Sequence, residues 1–220
     1  MSEKPCIVFD MDGVLLDTER LVLLCWEHVA DTFGLIHAAD LCRSCMGTTH
    51  AKTDEVLCRI YGQDFPVKRF HEATREHFHQ LIRDGIPCRP HAKEAIAGLH
   101  ALGYPLAVAS SSREASVKPE LEEAGLLPYF SVVVCGDHLK RSKPEPDIYL
   151  LACEKLGTDP STAYAVEDSY NGIRAAHRAG MHPIMVPDQL PPTEEMHALS
   201  RYIFDDLGAL YRHFAALELQ

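Results

Sequence analysis

Cys6-Ile7-Val8-Phe9-Asp10-Met11-Asp12-Gly13-Val14-Leu15-Leu16-Asp17-Thr18-Glu19 passes from apolar to acidic within a few residues. Ile7, Val8 and Phe9 form a run too short for a helix and rich in strand formers. Two aspartates separated by one residue follow, and then Gly13, which lets the backbone turn sharply. A buried strand that ends this way places carboxylates at its carboxyl end, where open α/β sheets bind ligands. Carboxylates this close repel one another unless a cation or a proton lies between them. A Mg²⁺ ion removes the conflict, because it prefers oxygen ligands and pairs naturally with phosphate. Asp10 is then a candidate nucleophile and Asp12 a candidate acid/base. For Asp-x-Asp-Gly alone, a solvated turn after an edge strand is the plain alternative. The apolar run before it and Val14-Leu15-Leu16-Asp17-Thr18-Glu19 behind it turn the reading toward chemistry.

Working outward, Thr18 to Gly34 reads as a helix, with Leu21, Leu24, Cys25, His28 and Val29 at helical spacing. Helices are expected over 38–45 and 49–61, joined through Met46-Gly47-Thr48, and from Pro66 to Asp84. No strand is expected between Asp17 and Asp84, so this block is an all-helical insert. From His91 the pattern alternates. Helices are expected over 92–102, 114–124, 148–156 and 171–179, with strands over 105–109, 132–135, 163–166 and 183–186. Pro119 is expected to kink or delay its helix. Pro187 to Pro192 reads as a surface loop, and Tyr202-Ile203-Phe204 and a helix from Asp206 end the pattern. Such alternation implies a doubly wound parallel sheet covered on both faces, a Rossmann-like α/β core. The division expected is a core of residues 1–16 and 86–220 and a helical insert of residues 17–85.

The 220 residues carry a net charge of -11, which disfavours nucleic acid and anionic membranes as partners. No apolar run is long enough to span a bilayer, and Met1 to Pro5 shows no signal-peptide pattern. The eight cysteines are scattered among apolar neighbours, which suits reduced, mostly buried thiols in a cytoplasmic protein. Cys42-Arg43-Ser44-Cys45 has no second pair at zinc spacing and no strand before it, so we read structural thiols. A monomer is the default expectation.

In a parallel sheet, all strand carboxyl ends point to one edge. Asp10 and Asp12, Ser110, and Glu167 and Asp168 each follow an expected strand, and Lys143 precedes a helix in Ser142-Lys143-Pro144-Glu145-Pro146-Asp147. Each has an ordinary explanation when taken alone: a Ser-rich turn, a solvated loop lysine, an acidic helix start. Together they form a set suited to phosphoryl transfer, which needs an aligned nucleophile and positive charge around the equatorial oxygens.

Phe9 to Glu19 resembles the first signature of the haloacid dehalogenase superfamily, within its β-phosphoglucomutase-like group of phosphatases and mutases. The remaining signatures follow in order. Ser110, after Leu106-Ala107-Val108-Ala109, matches the second, Lys143 the third, and Val166-Glu167-Asp168-Ser169-Tyr170-Asn171-Gly172-Ile173 the fourth. The resemblance implies an aspartyl phosphate on Asp10, with Asp12 as acid/base. It implies Ser110 on a phosphoryl oxygen and Lys143 offsetting the charge of nucleophile and phosphate. Mg²⁺ would be held by Asp10, the backbone carbonyl of Asp12, Asp168 and Glu167, the last either as a ligand or by orienting waters.

In this family a helical insert at this place is a cap that closes over the site. Gly47, Thr48, Thr49 and His50 fall on its substrate-facing loop, and with Ser111 and Ser112, on the loop after the second signature, they are the residues expected to bind substrate. Where the mutases carry a phosphate-binding arginine, often a lysine, and a gating histidine, this chain carries His50, Met46 and Val22. Arg43, Lys52 and Arg113 are the candidate cations for holding a second phosphate in their stead. A phosphatase of small phosphorylated metabolites, sugar phosphates above all, is therefore read ahead of a β-phosphoglucomutase interconverting β-glucose 1-phosphate and glucose 6-phosphate. A dehalogenase needs only the first carboxylate. A phosphonatase replaces the second aspartate, which is present here, although Lys52 and Lys68 offer candidate Schiff-base lysines. A non-enzymatic binding module would have damaged at least one signature, and none is damaged.

Overall fold

The computed structural model describes residues 4–46 and 50–219, with the side chain of His50 left out. It divides into two compact units, residues 1–17 with 85–220, and residues 18–84.

The first unit is built on six parallel strands. They are β1 (Ile7–Phe9), β2 (Leu106–Ser110), β3 (Val132–Cys135), β4 (Tyr164–Glu167), β5 (His182–Met185) and β6 (Tyr202–Ile203). Their order across the sheet is β3-β2-β1-β4-β5-β6, and every pair is parallel. The chain runs outward from β1 to β3, returns to β4 beside β1, and runs outward again. That reversal is the switch point where ligands settle in open α/β sheets.

The strands are apolar without alternation because both faces are covered. Every residue of β1 and β2 is buried. On one face, α7 (Asp147–Leu156) and α8 (Tyr170–Arg178) set Ile148, Tyr149, Ala152, Ala175 and Ala176 against Val8, Ala107, Ala109 and Ala165. Alanines on both sides let helix and sheet approach closely. Further helices of this unit are α5 (Ala92–Ala101), α6 (Glu114–Glu123), α9 (Glu194–Leu199) and α10 (Leu207–Leu217). The two segments flanking the helical unit pair with each other: Asp17 N–H donates to Pro87 O at 2.8 Å, and Arg89 N–H to Leu15 O at 2.9 Å.

The second unit is α1 (Thr18–Phe33), α2 (Ala38–Cys45), α3 (His50–Tyr61) and α4 (Val67–Leu81). Phe70 is its centre, fully buried, with the Trp26 ring edge-on at 4.8 Å and Phe33 at 5.5 Å. Cys42 and Cys45 are buried in this core, and burial, with Cys45 adding, pushes the Cys42 thiol up to about 12. A thiol held protonated in this way is inert. All eight cysteines are free.

Three local expectations are corrected. Helix α6 starts at Glu114 and continues past Pro119, so the proline does not delay it; it lies on the exposed side, where its lost hydrogen bond leaves a carbonyl that water can reach. Helix α4 ends at Leu81 rather than Asp84. Helix α9, absent from the sequence reading, is capped by Thr193, whose hydroxyl accepts from Met196 N–H.

Candidate active site

Parallel pairing brings the chemistry to one edge. Phe9 sits opposite Val108 on one side and Val166 on the other. The next residue on β1's path, Asp10, therefore lies between the ends of β2 and β4, and its N–H donates to Val166 O at 2.9 Å. Gly13 has φ 74°, a left-handed conformation that suits glycine, and turns the chain back after Asp12.

Lys143 is the hub. Its Nζ donates to Asp10 Oδ1 at 2.8 Å, to Glu167 Oε1 at 2.6 Å and to Ala109 O at 3.1 Å. An ammonium has three protons, and each has an acceptor here. The lysine side chain is 7 % exposed. Burial pulls its pKa down, but the Asp10 and Glu167 carboxylates outweigh burial and hold it above the ordinary lysine value. Burial lifts Asp10; Lys143 pulls it back, Glu167 and Asp12 add their repulsion, and its carboxyl is pushed up to about 7.

Glu167 is enclosed. Its Oε1 also accepts from the Tyr149 hydroxyl at 2.5 Å, and its Oε2 accepts from Ser169 Oγ at 3.0 Å and Ser169 N–H at 3.4 Å. Gly172, in the first turn of α8, makes the space: a Cβ there would stand 1.8 Å from Glu167 Cδ. Ser110 Oγ donates to Asp12 Oδ2 at 3.4 Å and Ser112 Oγ donates to the same oxygen at 2.9 Å, while Ser112 N–H donates to Ser110 Oγ. Asp12 is thus held by the loop after β2.

Of the residues expected from sequence, Asp10, Lys143, Glu167 and Asp168 converge, and Asp12, Ser110 and Ser112 form an adjoining group. Ser111 follows Ser110 and is exposed. Gly47, Thr48 and Thr49, and the side chain of His50, lie outside the described residues. Tyr149 was missed by sequence reasoning. The available signal was a phenol among the apolar positions of a helix that starts just after Lys143, since a buried tyrosine hydroxyl requires a partner.

The set fits a magnesium ion. Asp10, Glu167 and Asp168 are all buried, and each offers a carboxylate oxygen within 4.8 Å of the others. Three carboxylates this close are hard oxygen donors of the kind Mg²⁺ takes.

Comparison with known proteins agrees with this architecture. The family model described as haloacid dehalogenase-like hydrolase matches residues 7–186. A protein named phosphorylated carbohydrates phosphatase, from Thermotoga maritima, is 34 % identical over 183 residues, covering 81 % of this chain and 82 % of that protein. Fructose-1-phosphate phosphatase YqaB of Escherichia coli is 29 % identical over 180 residues, covering 82 % of this chain and 95 % of that protein. The crystal structure of CbbY from Rhodobacter sphaeroides in complex with phosphate is 30 % identical, with a TM-score of 0.73, covering 94 % of this chain and 96 % of that one. A parallel sheet with acids at its switch point, the four signatures and the family match lead to one conclusion: this chain belongs to the haloacid dehalogenase-like hydrolases.

Proposed function

We propose that the chain is a Mg²⁺-dependent phosphatase of small phosphorylated metabolites, sugar phosphates foremost, working as a monomer in the cytoplasm. The observation that carries the reading is the buried Lys143–Asp10 pair at 2.8 Å, beside Asp168 and at the end of β1. The Thermotoga and Escherichia relatives, named for phosphorylated carbohydrates and fructose 1-phosphate, support the substrate class.

A carboxylate oxygen of Asp10 attacks phosphorus in line. As that bond forms, the ester P–O bond breaks, and Asp12 gives its proton to the departing oxygen. Asp12 then takes a proton from water, whose oxygen attacks the phosphorus of the aspartyl phosphate. Orthophosphate leaves, and the Asp10 carboxylate is restored. Lys143 offsets the charge shared by nucleophile and phosphoryl group, and Ser110 donates to a phosphoryl oxygen. Asp10, Asp168, the carbonyl of Asp12 and Glu167 would hold Mg²⁺, which supplies positive charge to the phosphoryl oxygens when bound.

The helical unit, residues 18–84, takes the role of a specificity cap. Arg43 and Lys52, the cations in it that a bisphosphate would call on, are paired with acids on their own helices. Arg43 meets Asp40 at 3.2 Å, and Lys52 meets Glu55 at 2.7 Å. Both pairs are exposed surface contacts and do not decide the matter; His50, where the mutases carry a phosphate-binding arginine, favours a monophosphate substrate over the two phosphates a sugar mutase must hold.

The test is a screen of phosphomonoesters with and without Mg²⁺, beside a coupled assay for conversion of β-glucose 1-phosphate to glucose 6-phosphate. Release of free phosphate from several sugar phosphates, lost on chelation, is the expected result. Efficient isomerisation without phosphate release would replace the phosphatase with the mutase.

A further inference from the structure

Tyr149 lies in the first turn of α7, six residues after Lys143, and is fully buried. Its hydroxyl donates to Glu167 Oε1, the same oxygen that accepts from Lys143. Its ring lies under the ammonium, with Lys143 Nζ 5.3 Å from the ring centroid. One short segment therefore delivers the lysine, an aromatic face for its charge and a second donor for its counter-ion.

The arrangement is a contest for one ammonium. Lys143 is shared between Asp10 at 2.8 Å and Glu167 at 2.6 Å. Glu167 is entirely buried, and the donors around it meet its charge. Ser169 supplies donors to Oε2, and Tyr149 is the second donor on Oε1, beside the lysine. Without the phenol, Lys143 would be the one remaining donor to Oε1 among the described residues, and the ammonium would be drawn off Asp10.

We propose that Tyr149 is a positioning residue for Lys143: its hydroxyl satisfies Glu167 Oε1 so that the ammonium stays on Asp10. The kinetic consequence rests on the phosphatase reading above, whereas the geometric consequence does not. If Tyr149 were only a core side chain of α7, phenylalanine would replace it at no cost, because the shape is kept and a buried hydroxyl is removed.

The experiment compares wild type, Tyr149→Phe, Glu167→Gln and the double variant. Phosphate release by Tyr149→Phe should show kcat lower by about tenfold, the scale of a lost hydrogen bond to a charged group, with KM within about twofold. In the Glu167→Gln background, the same change should cost nothing further, because the tyrosine acts through the glutamate. Wild-type kcat in Tyr149→Phe, or losses that multiply in the double variant, would overturn the proposal. Crystal structures of metal-free wild type and Tyr149→Phe supply a readout that needs no turnover. Opening of the Lys143–Asp10 contact beyond about 3.5 Å supports the proposal, and an unchanged contact overturns it. A wild type that releases no phosphate would remove the phosphatase reading and leave that crystallographic comparison to decide Tyr149.

Discussion

The two units of this protein treat buried polarity in opposite ways. Among the described residues, the buried acids Asp10, Asp17, Glu167 and Asp168 all lie in the α/β unit. The buried polar residues of the helical unit are uncharged, Thr18 and Thr53, and its core is aromatic and aliphatic around Phe70. Buried charge is costly unless it is paired and hydrogen-bonded. The α/β unit bears that cost at one sheet edge, and the helical unit avoids it. The difference separates a region shaped by chemistry from one shaped by packing, and it predicts that substitutions in the two will fail differently.

The largest effect should come from Lys143→Met. Asp10 and Glu167 would face each other without their shared cation, and removing one partner of a buried pair costs about 3–5 kcal/mol. Phosphate release should fall by about a thousandfold, on the scale of losing a preorganised charge at the reacting centre. Thermal melting and an activity assay measure the two losses, and a variant that melts and turns over like wild type would break the contrast at its strongest point.

Phe70→Ala attacks the other region, where only packing is at stake. It should cost about 3–5 kcal/mol through lost burial and the cavity left behind. Trp26, the one tryptophan in the chain, touches Phe70, so its fluorescence reports on this core directly. The denaturant midpoint followed by that signal should drop. An unchanged midpoint would mean that the helical unit is not held by its aromatic centre.

The smallest effect concerns Glu120, on α6. Burial, with Asp12 and Glu123 adding repulsion, pushes its carboxyl up to about 7 from an ordinary 4.5. The folded state then holds this proton more tightly than the unfolded state, so stability falls as pH rises from about 4.5 through 7. Glu120→Gln should melt slightly higher than wild type at pH 8 in chelator, with the gain shrinking as pH falls from 7 and gone below about 4.5. A gain of equal size across that range would show that charge is not its cause.

Much of the α/β unit was legible in the sequence, because strands covered on both faces appear as unbroken apolar runs. Val8, Ala107 and Ala165 sit in such runs, and the polar residues that follow them mark the carboxyl edge. The pairing of Phe9 with both Val108 and Val166 was not written in any single run, since it depends on crossovers between distant segments. Glu167 was expected on the metal or on its waters. Its enclosure by Lys143, Tyr149 and Ser169 is a tertiary fact, and so is the direction of the Tyr149 hydroxyl. Ser112 was expected to touch substrate, and its hydroxyl is directed at Asp12. Helix α9 is six residues long, too short for a periodic signal, although Thr193-Glu194-Glu195 carries the cap chemistry that starts it.

The role proposed for Asp10 is that of the nucleophile that accepts the phosphoryl group. It is tested most directly by phosphate release from hexose phosphates in Mg²⁺ by wild type and by Asp10→Asn, with folding checked by circular dichroism. We predict measurable turnover for wild type and its abolition, by at least about a thousandfold, in a folded Asp10→Asn. Near-wild-type release by that variant would contradict the account.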